Sequence, residues 1–257
     1  MKGNLKEKLK FPLYAYEKFN GFLGLVSYNS IQNKLHFATK GSVSNSYAAL
    51  FESLLQDLMP PLNYINFMEY LTQNDVTVAF EVIDNKKDPH IIPSPVGSRS
   101  LALLAIIPNQ INYQHIPYET LKKQGDLWGF LVPARVSIKD IDELKRFYSE
   151  NASENVYDFE STHIEGYVIE GSDGFMFKYK APYYLYWKSI RTNVKRYITN
   201  PNWENELALD KKITDKDKSI VRYIVESLLA SNRKTVNMVK ILEDTRFRKF
   251  ILTLETK

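Results

Sequence analysis

Lys18 stands in Glu17-Lys18-Phe19-Asn20-Gly21, a lysine just ahead of an Asn-Gly turn signal. Further along come Glu165-Gly166-Tyr167-Val168 and Phe177-Lys178-Tyr179-Lys180. A lysine before a glycine turn, an acid on a strand and a lysine pair on the next strand can together move a nucleoside monophosphate. The amine of Lys18 attacks an α-phosphate only when neutral, whereas an unperturbed lysine, with a pKa of about 10.4, is almost wholly protonated at neutral pH. Neighbouring positive charge or desolvation lowers such a pKa. Lys40, Lys178 and Lys180, if they converge on one site, would supply that charge and stabilise the negative charge growing on the phosphate and its leaving group. Triphosphate chemistry also needs a divalent metal, Mg2+ or Mn2+, held by oxygen ligands. Glu81 and Glu165, each on a strand face, are the candidate acids.

Each of these residues also has an ordinary explanation. Lys-x-Asn-Gly alone is usually a surface turn, and a strand-edge acid such as Glu81 commonly pairs with a surface lysine. Lys178 and Lys180 share one strand face by the period of two, which suits a shared phosphate but also suits the protection of an exposed edge strand. Glu165 is harder to explain away, because a Glu in an inward-facing strand is costly to bury unpaired. His163, two residues before it, reads as structural. Tyr183, Tyr184, Tyr186 and Trp187 could stack on bases beside Lys188 and Arg191, and packing of helices explains them equally well.

The elements that must position these groups follow from periodicity. Tyr16 to Ser27 and Lys34 to Val43 read as strands joined by a turn-rich segment. Tyr47, Leu50, Phe51, Leu54, Leu55 and Leu58 have helical spacing over Ser46 to Met59, which Pro60-Pro61 ends. Asn63 to Leu71 is a second short helix. Val76 to Ile83 alternates as a strand, with Val76, Val78, Phe80 and Val82 on one face and Glu81 on the other. Leu101 to Ile107 is a buried strand, Tyr118 to Gln124 and Ile138 to Tyr148 are helical, and Ile164 to Glu170 with Gly174 to Lys180 form a hairpin. From Pro182 onward the pattern is helical, including Ile220 to Leu229 and Val236 to Leu242.

In this order the motifs resemble the covalent nucleotidyltransferases, the polynucleotide ligases and RNA-capping enzymes. Their nucleotide-bearing lysine lies in Lys-x-(Asp/Asn)-Gly, matched by Lys18-Phe19-Asn20-Gly21. Within that superfamily the chain most resembles the phage RNA ligase 1 family and the ligase domain of fungal tRNA ligases, which share the Asn at the position of Asn20. Phe37-Ala38-Thr39-Lys40-Gly41-Ser42 matches the Ser/Thr-Lys-Gly-Ser element of phage RNA ligase 1. Phe80-Glu81-Val82-Ile83 resembles motif III, Glu165-Gly166-Tyr167-Val168 matches motif IV, and Lys178-Tyr179-Lys180 matches motif V. The resemblance spans about residues 14–190 and implies an α+β ligase fold of mainly antiparallel sheets with flanking helices, ATP between the sheets. Residues 1–190 are then the adenylation domain and 191–257 a small C-terminal helical module.

It also implies roles. Lys18, Lys178 and Lys180 would be catalytic, Glu165 would face the metal, and Glu17, Phe19, Asn20, Gly21, Lys40 and Glu81 would bind the nucleotide. The implied function is an ATP-dependent RNA ligase that forms lysyl-AMP on Lys18 and seals RNA 5′-phosphate and 3′-hydroxyl ends, with an end-healing kinase or phosphatase as possible companion. The family also has sheet strands and an arginine upstream of its lysine. Here seventeen residues precede Lys18 and the first arginine is Arg99. Either Lys2, Lys6, Lys8 or Lys10 substitutes, or an N-terminal segment is missing from this polypeptide. The alternative expectation is accordingly a ligase-fold module that binds nucleic acid or depends on a partner. A GTP-using capping enzyme is disfavoured by Thr39-Lys40-Gly41-Ser42 and by the lack of a recognisable C-terminal barrel.

Bulk properties set the frame. With 44% hydrophobic and 25% charged residues the chain is expected to be an ordinary soluble globular protein. The charged N-terminus has no apolar signal core, and the absence of cysteine excludes a disulfide framework and a thiolate zinc site. Both fit a cytoplasmic protein. Residues 1–174 hold 16 basic against 21 acidic residues, and residues 175–257 hold 18 against 9. Between Phe175 and Asn200 six basic residues occur with no acid, which suggests a face that meets a polyanion or a solvated helix.

Overall fold

The computed structural model describes residues 8–93, 97–112, 116–152 and 154–255. Its strands are β1 (Leu13–Glu17), β2 (Phe22–Asn29), β3 (Lys34–Thr39), β4 (Val76–Asp84), β5 (Arg99–Pro108), β6 (Arg135–Ile138), β7 (Gly166–Gly171) and β8 (Met176–Lys180). The run expected as one strand from Tyr16 to Ser27 is therefore broken at Lys18–Gly21, and its halves join different sheets. One sheet has the order β6-β1-β7-β8 and the other β3-β2-β4-β5. The registered pairs are antiparallel, with Leu13 opposite Ile138 and Gly171, and Gly24 opposite Thr39 and Phe80. This is the α+β architecture of antiparallel sheets that the sequence predicts.

The break has a local cause. A Cβ on Gly21 would lie 2.2 Å from the Val82 carbonyl oxygen, so only glycine lets the chain pass this close to β4. Phe19 is buried with Ile83 and Ala102, and withdrawing such a ring from water stabilises by roughly 1.5–3 kcal/mol. Pinned at both points, the chain leaves one sheet after Glu17 and enters the other at Phe22.

Helices α1 (Ser46–Leu58), α2 (Pro61–Gln73) and α3 (Tyr118–Trp128) supply the core of this region. Asn45 caps α1 by accepting from the Ala48 N–H at 2.8 Å. Pro61 opens α2, where a missing N–H costs nothing. Gly129, at φ 78°, closes α3 in the left-handed conformation. Phe51, Leu54, Leu55, Phe67 and Trp128 pack with Val78, Phe80 and Val82 of β4. The Val76/Val78/Phe80/Val82 face is the helix-covered one, as alternation predicts, and Ile83 and Glu81 belong to the other. The strand is nevertheless buried on both faces apart from Thr77, because β2 and β5 flank it and Phe19 reaches its second face.

The chain divides into two compact units. The first comprises the described residues of Met1–Asp88, Ser94–Asp140 and Tyr167–Lys178, and the second those of Pro89–Pro93, Ile141–Gly166 and Tyr179–Lys257. In the second unit, α4 (Ile141–Ala152) replaces the expected helix from Ile138 to Tyr148. Arg135–Ile138 is taken by pairing with β1, so the helix starts later, with Asp142 and Glu143 favourably placed in its first turn. Then follow α5 (Pro182–Tyr197), α6 (Trp203–Leu209), α7 (Asp215–Ala230), α8 (Met238–Glu243) and α9 (Thr245–Glu255). Trp187, Tyr197, Leu207, Ile220, Val225, Phe247 and Ile251 form its buried core. Among the described residues no helix is long and apolar enough to cross a membrane.

Candidate active site

The first unit brings Lys18, Asn20, Gly21 and Glu81 together. Glu81 is buried, and its Oε1 accepts from the Gly21 N–H at 2.9 Å and lies 4.0 Å from Lys18 Nζ. Lys18 Nζ donates to its neighbour's carbonyl, Phe19 O, at 3.2 Å. One carboxylate thus fixes the turn and faces the amine that the turn presents. Asn20 is buried beside them, 9% exposed. Glu17 is half-buried at the end of β1, and loss of water around its carboxyl pushes that group above the usual carboxylate range. Phe19 is enclosed in the Ile83–Ala102 cluster, where it anchors the backbone under Lys18.

Lys40 is exposed at the corner of a tight turn after β3. The Thr39 N–H donates to Ser42 O at 2.8 Å, and Asn45, the cap of α1, donates through Nδ2 to Thr39 Oγ1 at 3.3 Å. The Thr-Lys-Gly-Ser element is therefore a turn locked to a helix start. Lys178 also belongs to the first unit and is exposed on β8.

The second unit holds the other pair. Glu165 is 4% exposed, and its Oε1 accepts from Lys180 Nζ at 3.0 Å. Its carbonyl accepts from the Ala181 N–H at 3.0 Å. Gly166, at φ +140°, would place a Cβ 2.1 Å from Tyr179 O, so the glycine of the motif is a backbone requirement of this close passage. Lys180 Nζ also lies 4.6 Å above the Tyr184 ring, and Lys188 Nζ approaches the same ring at 5.5 Å. The sequence offers Tyr184 only as one of four aromatics; its spacing of four from both lysines is the signal that marks it.

Several other residues resolve into structural roles. His163 stacks on Tyr183 at 3.6 Å, with Nδ1 against Glu154 and Nε2 against the Asp158 carbonyl. Tyr183, Tyr184 and Trp187 are buried, and Trp187 Nε1 donates to Val156 O, so packing accounts for them. Arg99 pairs with Asp57 at 2.8 Å and with buried Asp84 at 3.6 Å. Lys8 lies over the Phe175 ring, and the Lys10 carbonyl accepts from Ser172; Lys2 and Lys6 lie outside the described residues.

Among the described residues no group of three or more His, Asp or Glu could hold a metal ion unaided. Mg2+ is commonly held by one or two carboxylates together with substrate phosphates. Glu165, a buried carboxylate paired with Lys180, fits that donor pattern.

The model of a family described as RNA ligase matches residues 1–184. A tRNA ligase of Candida albicans is 27% identical over 171 residues, 61% of this chain and 20% of that protein. The tRNA ligase 1 of Schizosaccharomyces pombe is 30% identical over 123 residues, 44% of this chain and 15% of that protein. The chain thus spans about a fifth or less of the curated relatives it matches. Among solved structures, an archaeal ATP-dependent RNA ligase superposes with a TM-score of 0.56 at 14% identity, covering 93% of this chain and 61% of that one. The likeness shows a shared ligase fold.

Proposed function

The chain belongs to the RNA ligase family, of the phage RNA ligase 1 type, and on that premise we propose that it is an ATP-dependent RNA ligase charged with AMP on Lys18. The observation that carries this reading is the Glu81 carboxylate bound to the Gly21 N–H and facing the Lys18 amine, within a segment that matches the family's lysine motif. Residues 1–190 supply the adenylation chemistry in this reading, and 191–257 form a helical module.

Lys18 must first give up its proton and turn from Glu81 and the Phe19 carbonyl. Its lone pair then forms a nitrogen–phosphorus bond with the α-phosphate of ATP, while the bond to pyrophosphate breaks and pyrophosphate leaves. Glu17, Phe19, Asn20, Gly21, Lys40 and Glu81 shape and hold the nucleotide region, Phe19 by packing. Lys178 and Lys180, by their correspondence to motif V, neutralise the phosphates. Glu165 would hold Mg2+ or Mn2+, which supplies charge neutralisation at the phosphates when bound. An oxygen of an RNA 5′-phosphate next displaces Lys18 from the AMP phosphorus. Finally a 3′-hydroxyl attacks the activated 5′-phosphorus, AMP departs, and the strand is sealed.

In this reading the substrate is RNA with 5′-phosphate and 3′-hydroxyl ends, which a kinase or phosphatase can prepare, and the setting is cytoplasmic. A second reading is a ligase-fold module that depends on a partner, in keeping with the chain spanning about a fifth or less of the tRNA ligases it matches. If the chain depends on a partner for self-charging, it should seal only pre-adenylated ends. Incubation with ATP, Mg2+ and 5′-phosphorylated RNA should give sealed product and a transient AMP-capped strand. Sealing of pre-adenylated RNA alone would select the second reading, and no sealing of either substrate would sink both.

A further inference from the structure

Within the first unit, the turn that carries Lys18 is held from two sides. On the β4 side the Gly21 N–H is held by Glu81. On the other side the last amide of β1, the Glu17 N–H, donates at 3.1 Å to the carbonyl of Ala134, a residue that belongs to none of the motifs. Ala134 lies in a strap, residues 131–135, that ties the two sheets together. At its start the Leu131 carbonyl accepts from the Leu103 N–H at 2.8 Å, and Leu131 bridges Ala102 of β5 in parallel. In its middle the Pro133 carbonyl accepts from the Tyr118 hydroxyl at 3.0 Å, which fastens the strap to the start of α3. At its end Arg135 opens β6 opposite Tyr16 of β1.

Arg135 locks this strap. Its guanidinium lies 4.7 Å from the centroid of the Tyr14 ring and 4.2 Å from that of Tyr118, so a ring of β1 and a ring of α3 share one planar cation. Tyr16 lies tilted against Tyr118 at 5.9 Å, its phenol pushed up to about 12 by loss of water and by the Glu170 carboxylate beside it. The ion pair from Arg135 to Glu119, at 3.2 Å, uses an exposed carboxylate, so the rings rather than that pair do most of the holding.

We propose that Arg135 is a positioning residue for the transfer of AMP to Lys18. Clasped by Tyr14 and Tyr118, it fixes the strap whose Ala134 carbonyl holds the end of β1, and so sets where the Lys18 amine is presented. It acts through Ala134 and Glu17, not on the nucleotide. A displacement of about 1 Å at a reacting group can cost roughly a hundredfold in rate, which gives a clasp one residue from the Lys18 turn its leverage. The proposal rests on the self-charging reading and adds to it a group that lies outside every motif.

The test compares Arg135→Ala and Arg135→Lys with wild type and with Lys122→Ala, an exposed lysine of α3. Adduct formation is timed over a range of labelled ATP concentrations, and amide hydrogen exchange is read at Glu17 and Gly21. In Arg135→Ala the rate at saturating ATP should fall roughly ten- to a hundredfold, with little change in the ATP concentration that gives half that rate. The Glu17 amide should exchange faster, while the Gly21 amide, held by Glu81, stays protected. Arg135→Lys keeps a cation over the rings and should recover much of the rate, and Lys122→Ala should match wild type. A wild-type saturating rate, a change confined to the half-saturating ATP concentration, or equal loss of protection at both amides would overturn the proposal. If Arg135→Ala does not fold, Tyr118→Phe carries the same comparison, because it keeps the ring and deletes only the bond to the Pro133 carbonyl. Absence of any adduct in wild type would instead sink the self-charging reading, and the two amides would still decide whether Arg135 holds the turn.

Discussion

At the scale of single residues, Glu81 ties structure to chemistry. Its carboxylate accepts from the Gly21 N–H and faces Lys18 Nζ, so deleting it removes a backbone anchor and a charge together. The two can be separated. Glu81→Ala leaves the Gly21 N–H without its acceptor in a partly buried turn and should lower stability by about 1–2 kcal/mol. Glu81→Gln keeps an oxygen in place and should recover most of that loss in denaturant unfolding, while still impairing adduct formation because the charge is gone. If the two variants unfold alike, Glu81 does not hold the turn. The sequence makes these residues legible through type and spacing, since a lysine, an acid and a glycine turn announce their chemistry. It does not show that Phe19 is a buried anchor, because burial depends on Ile83 and Ala102, more than sixty residues away.

At the scale of elements, periodicity locates most strands and helices but not which sheet a strand joins. Tyr16 to Ser27 reads as one strand, yet β1 pairs with β6 and β7 while β2 pairs with β3 and β4. The partners of β1 are more than a hundred residues downstream, so no local pattern reports the switch. The one local sign is Gly21, whose need shows only against the Val82 carbonyl. β6 escapes notice for a related reason, being four residues long and merging with the helix pattern after it. The glycine after Glu165 offers the corresponding test. Gly166→Ala forces a side chain into φ +140° and against Tyr179 O, and the backbone conformation alone should cost about 1–3 kcal/mol. Gly41→Ala meets nothing within 4 Å and should stay within about 0.5 kcal/mol of wild type. Equal denaturation midpoints for the two variants would contradict the close passage at Gly166.

At the scale of the whole molecule, the two compact units are built from interleaved segments, with Ile141–Gly166 grouped with the C-terminal helices. A pattern read along the chain cannot reveal this, because the grouping is made by long-range packing around Trp187 rather than by any linker. Charge was more legible: the excess of basic residues after Phe175 is a composition fact, and the structure shows Arg191 and Arg196 among them helping to hold the fold. The central claim is that this chain charges itself on Lys18. It is tested most directly by incubating the protein with ATP labelled at the α-phosphate and Mg2+ or Mn2+, then mapping the labelled peptide. We expect an acid-labile, alkali-stable adduct on Lys18 that is absent from Lys18→Ala. A properly folded protein that forms no adduct, or one that keeps the adduct after Lys18→Ala, would contradict it.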